Sequence, residues 1–123
     1  MYTDAVLRHF RSPRNAGELL DATASVEVAN PVCGDVLRLA VRVVDSRIVE
    51  ARFKAHGCVA AIACGSVVTD MLVGKTTEEA RGLRPQQVSE VLGGLPQATF
   101  HAAQLCCDAV KMLIRKVESI KAG

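Results

Sequence analysis

The chain has 123 residues, with 15 basic and 13 acidic side chains and a formal charge of +2. That length predicts a single domain spanning 1–123, which buries about two-thirds of its unfolded surface and needs no disulfide staples. No apolar run approaches a membrane span. The 23% charged residues, mixed in sign, argue against disorder and leave no basic stripe for nucleic acid.

The opening Met1-Tyr2-Thr3-Asp4 lacks the charged-then-apolar layout of a secretion signal, so a cytoplasmic location is expected. In a reducing compartment five cysteines, an odd number, do not suggest a disulfide framework. Cys33, Cys58, Cys64, Cys106 and Cys107 are instead candidates for metal or sulfur chemistry, or small core residues.

Residues 2–11 place Ala5, Val6, His9 and Phe10 at near-helical spacing, and Ser12-Pro13 ends that helix. Three strands follow with period two. Val26 and Val28 mark the first, Leu37, Leu39, Val41 and Val43 the second, and Val49, Ala51, Phe53 and Ala55 the third. Asp45-Ser46 supplies a hairpin turn between the last two.

From Cys58 the period becomes helical, with Ile62, Gly65, Val68, Thr69 and Leu72 on one face and Gly74 as the stop. The Ala, Gly and Ser content of this helix suggests close approach to a neighbour. Thr76-Thr77-Glu78-Glu79 reads as a capping box for a short helix ending near Gly82. Pro85–Leu92 reads as another, and Gly93-Gly94-Leu95-Pro96 breaks the chain. A last helix from about Thr99 to Ile120 carries Cys106, Val110, Leu113, Val117 and Ile120 as its stripe. The order predicts an α+β fold in two layers, a three-stranded antiparallel sheet packed by helices.

Chemistry concentrates at element ends. Cys33-Gly34-Asp35 lies in the loop between the first two strands, where a thiol and a carboxylate can converge, or where a turn simply buries a thiol. Cys58 stands where the third strand hands over to a helix, and a helix N-terminus favours a thiolate. His101 opens the last helix. Two thiolates, an imidazole and a carboxylate make a tetrahedral Zn²⁺ set and can also hold iron.

Several segments together resemble the IscU/NifU-type iron–sulfur cluster scaffold family. They are His9-Phe10-Arg11-Ser12-Pro13-Arg14-Asn15-Ala16-Gly17, Asn30-Pro31-Val32-Cys33-Gly34-Asp35 and Ala51 to Ala63 around Gly57-Cys58. The resemblance runs over nearly the whole chain in the right order. It implies the small α+β (SufE/NifU) fold, and a scaffold that catalyses little by itself. Such a scaffold assembles a transient [2Fe–2S] cluster with sulfur from a cysteine desulfurase and passes it to apo iron–sulfur acceptor proteins. Carried over, Cys33 and Cys58 match the first two ligand cysteines, Asp35 the ligating or tuning aspartate, and His101 the histidine before the third cysteine.

Two departures stand out. The family's His-Cys is His101-Ala102 here. Cys106 lies one turn further on the same helical face, about 6 Å along the axis, as a candidate sulfur relay or as core. Cys107 points elsewhere. Cys64 is about 240° around the helix from Cys58, and reads as packing. His56 reads as an auxiliary ligand or an exposed strand end. The family's Leu-Pro-Pro-Val-Lys stretch is Leu95-Pro96-Gln97-Ala98-Thr99, which puts an Hsp70-type chaperone partner in doubt. A zinc-binding sulfur acceptor or desulfurase partner, using the same four ligands, is the alternative function.

Overall fold

The computed structural model describes residues 2–30 and 34–122. Helix α1 (Asp4–Arg11) starts at Thr3, whose hydroxyl accepts the Val6 N–H, and stops at Ser12, before Pro13. Strands β1 (Ala24–Ala29), β2 (Val36–Val44) and β3 (Arg47–His56) form one antiparallel sheet in the order β1-β2-β3. Helices α2 (Val59–Leu72), α3 (Thr77–Arg81), α4 (Pro85–Val91) and α5 (Phe100–Ala122) follow, with a single 3₁₀ turn at Gln97–Thr99. Asp45 and Ser46 both adopt positive φ, 51° and 64°, as a tight two-residue hairpin turn demands.

The sheet buries one face. Leu37, Leu39 and Val41 of β2 lie opposite Ala55, Phe53 and Ala51 of β3, under α2 and α5. The phase of β3 differs from the sequence expectation at its start. A bulge between Arg42 and Val43 pairs Arg42 with Glu50 but Val43 with Ile48, leaving Val49 as the extra residue. Ile48 therefore turns into the core at 0% exposure, and Val49 faces outward at 38%.

Helix α2 departs from a one-faced reading. It is buried on nearly every side, because α1, β3, α4 and α5 all pack on it. Small residues make that possible. A Cβ on Gly65 would sit 2.5 Å from the Phe53 ring, so glycine lets the strand and helix approach. Ile62, expected on the buried face, is only half-buried. On α5 the expected stripe holds through Val117, but Ile120 is 53% exposed, and Ala103, Cys107, Ala109 and Ile114 join the core. The predicted capping box is present: Thr76 Oγ1 accepts the Glu79 N–H, and Glu79 Oε1 accepts the Thr76 N–H.

Polar contacts tie His9 and the stretch after α1 to α2 and β3. Ser66, fully buried on α2, accepts the Arg14 N–H at 2.8 Å and contacts His9 Nδ1 at 2.7 Å. Asn15 Nδ2 donates to Thr69 Oγ1, and the 15–17 stretch exchanges backbone bonds with Phe53 along the free edge of β3. Among the described residues no helix is long and apolar enough to cross a membrane.

Candidate metal centre

Three of the four sequence-predicted ligands converge at one end of the sheet. Asp35 sits just before β2, and its backbone carbonyl accepts the Asn30 N–H at 2.8 Å. Cys58 is the N-cap of α2, and His101 is the second residue of α5. Ligand atoms of Asp35, Cys58 and His101 all lie within 4.8 Å of one another. The fourth predicted ligand, Cys33, lies outside the described residues.

The carboxylate is the hub. Asp35 is 1% exposed, and its Oδ1 accepts the Cys58 N–H at 3.0 Å. Its Oδ2 accepts from Cys58 Sγ at 3.5 Å and stands 3.4 Å from His101 Nε2. Nε2 is shielded from solvent and, among the described residues, has no hydrogen-bond partner. A buried nitrogen left without a partner is costly in a finished core. In a metal centre that nitrogen would serve as the imidazole ligand.

Gly57 makes the hub possible. Its φ is +129°, and a Cβ there would fall 2.0 Å from Asp35 Oδ1. The strand-to-helix corner thus needs glycine twice, for the backbone turn and for the space the carboxylate fills. The sequence marked this residue only as the neighbour of a cysteine.

Electrostatics modify one expectation. The α2 N-terminus does assist the Cys58 thiolate, through the N–H groups of Ala61 and Ala60. Burial outweighs them, and the nearby Asp35 carboxylate adds to it, so the thiol is pushed above its usual range. A bound cation reverses that balance, since coordination deprotonates a thiol outright. Tyr2, not singled out from the sequence, also borders this end. Burial raises its phenol first, followed by the charges of Cys58, Asp35 and Cys64.

The remaining candidates are placed plainly. Cys64, Cys106 and Cys107 are buried at 0%, 1% and 1% in the α2–α5 region, and none of them belongs to the ligand cluster. The Cys106 thiol is held strongly protonated, first by its hydrogen bond with Cys64 and then by burial. Burial and neighbouring charges push Cys107 up to about 12. Ala102 is fully buried one turn before Cys106. His56 is exposed at the end of β3 and outside the cluster. Leu95–Thr99 serves as the entry to α5: the Leu95 N–H donates to Ser89 Oγ and the Thr99 N–H to Pro96 O.

A three-stranded antiparallel sheet under helices, with carboxylate, thiol and imidazole gathered at the α2 and α5 N-termini, defines a small metal-handling α+β protein. The family model of the NifU-like N terminal domain matches residues 1–122, and the chain belongs to that family. It is 45% identical over 114 residues to the iron–sulfur cluster assembly scaffold protein IscU 1 of Archaeoglobus fulgidus, covering 93% of this chain and 74% of that protein. It is 40% identical over 118 residues to the IscU scaffold of Azotobacter vinelandii, covering 93% and 91%. The crystal structure of a NifU-like N-terminal protein from Brucella abortus has the same fold, with a TM-score of 0.77 at 20% identity over 95% of this chain and 94% of that one. Within the family this member is divergent: Ala102 stands where the family motif has its third cysteine.

Proposed function

We propose that this protein is an iron–sulfur cluster assembly scaffold, in which Asp35, Cys58 and His101, completed by Cys33, hold iron or a labile [2Fe–2S] cluster as cargo. The convergence of a thiol and an imidazole on a buried carboxylate is the observation that carries the proposal. In this reading the protein is a carrier rather than an enzyme. A cysteine desulfurase supplies the sulfur and apo iron–sulfur proteins take the product, as the family resemblance implies; the relatives' names give the scaffold role. Histidine replaces cysteine in some natural clusters, so a set short of one thiolate is chemically sound. A carboxylate ligand makes for weaker retention, which suits cargo meant to leave.

A second reading is favoured by two distances. Ligands about 2.0 to 2.1 Å from one tetrahedral ion stand roughly 3.4 Å apart, and a sulfur–oxygen pair roughly 3.6 Å. Asp35 Oδ2 to His101 Nε2 is 3.4 Å and to Cys58 Sγ is 3.5 Å. One ion, Zn²⁺ or Fe²⁺, suits that spacing, with a cysteine then released to accept persulfide sulfur.

The test is anaerobic reconstitution with ferrous iron and sulfide. The scaffold reading expects visible sulfide-to-iron bands and acid-labile sulfide, both lost in Cys58→Ala and Cys33→Ala. One zinc per chain after purification with zinc scavenging controlled, and no bands at any stoichiometry, would establish the second reading. Failure to retain either metal overturns both.

A further inference from the structure

Residues of the 8–14 segment border two depressions that the metal centre does not use. On one side Phe10 and Pro13 line an apolar groove of about 390 Å³ with Ala55, His56 and Ile62. Phe10 is 37% exposed, and Ile62 remains half-buried although its helix is otherwise nearly enclosed. On the other side Arg8, His9, Ser12 and Arg14 line a polar cleft of about 240 Å³. Arg14 shares a salt bridge with Asp70. Among the described residues, no carboxylate lies within ion-pair distance of Arg8 or Arg11.

This arrangement contrasts with the outer face of the sheet. There Arg38, Arg42, Arg52 and Lys54 each meet Glu18, Glu27 or Glu50, so their charge is answered within the chain. Basic residues in the last turn of α1 have an ordinary role in offsetting the helix dipole. That role does not account for the exposed ring of Phe10 on the same helix.

We propose that the 8–14 segment is a docking surface for a partner protein's peptide segment that carries an aromatic or large aliphatic anchor flanked by carboxylates. The anchor fills the groove between Phe10, Pro13 and Ile62, and the flanking carboxylates meet Arg8 and Arg11, the two guanidinium groups of the segment without an ion pair among the described residues. Charge complementarity selects the occupant, because the free guanidinium groups reject a basic flank and reward an acidic one. His56 lies in the groove lining, two residues before Cys58. A segment seated there holds its owner beside the metal centre without occupying a ligand.

The test uses the metal-free full chain, so its outcome is independent of whether cargo binds. An array of twelve-residue peptides carries one phenylalanine or leucine anchor, with flanks graded from all-acidic to all-basic. The expected result is preference for acidic flanks that weakens with salt. Arg8→Glu and Phe10→Ala should each reduce binding of the best peptide by about tenfold or more. Both residues are surface-exposed, and circular dichroism checks that the variants fold. The chemical-shift changes on adding that peptide should map to Phe10, Ile62 and His56. Absence of an acidic preference, equal binding by the variants, shifts confined to another face, or self-association that accounts for the signal each overturns the proposal.

Discussion

Replacing Gly57 by alanine is the sharpest single probe of the centre. Two penalties combine. At φ +129° an L-residue is strained by about 1–3 kcal/mol. The new Cβ also claims the position of Asp35 Oδ1, 2.0 Å away, and forces the carboxylate off the Cys58 N–H. Losing a hydrogen bond to a charged group costs about 1.5–3 kcal/mol more. Gly17 provides the control. Its φ is +124°, nearly the same, but nothing lies within 4 Å of its Cβ position. Gly17→Ala should therefore show the backbone penalty alone. Urea unfolding of both variants isolates the clash as a difference of about 1.5–3 kcal/mol. Cobalt(II) titration, read by its thiolate charge-transfer band, should show weakened binding only for Gly57→Ala. Equal destabilisation with cobalt affinity intact in both would refute the role assigned to the Asp35 carboxylate.

Gly65→Ala drives a methyl group into the Phe53 ring and should cost about 1–3 kcal/mol, much of it recovered in the Gly65→Ala/Phe53→Leu double variant. Native alkylation with iodoacetamide, followed by mass spectrometry, should leave Cys64, Cys106 and Cys107 unmodified while Cys58 reacts slowly. Asp35→Asn removes a nearby negative charge that raises the Cys58 thiol, so the variant should alkylate faster at neutral pH; an unchanged or slower rate would count against it. Burial lowers His9 in the folded protein, so its neutral form supports the fold. The unfolded chain binds that proton more readily, and stability should fall as pH drops below about 6.5. Denaturant titrations of wild type and His9→Gln across pH 5 to 8 should show a smaller slope in the variant.

The sheet was legible in the sequence because one-sided burial imposes strict alternation, and so were the capping box and the Asp45-Ser46 turn, whose chemistry is local. Alternation puts Val49 on the inward face, and the structure turns it out, because a bulge depends on the pairing strand and the neighbouring Ile48 is equally apolar. Helix α2 resisted a one-faced reading since alanine, glycine and serine carry almost no directional signal; only its neighbours reveal that it is enclosed. At the centre, element ends pointed to Asp35, Cys58 and His101 because glycine, proline and caps mark those ends. The space taken from Gly57 and the proximity of Tyr2 were invisible, for both are facts of tertiary contact. The Cys58 expectation erred in its balance: dipole and burial act on the same thiol, and only coordinates weigh them.

The three converging ligands come from far apart in the chain: Asp35 and Cys58 are 23 residues apart, and His101 is 43 further on. A cation held by all three is a removable cross-link that closes two long loops. Anything that binds only the folded form stabilises it by mass action, about 4 kcal/mol at a thousandfold excess over Kd. Loading therefore tightens the molecule and unloading slackens it where α2 and α5 begin. On the scaffold proposal, an acceptor that drew the cargo away would also unfasten the corner that held it, so that recapture would compete with relaxation of the empty protein.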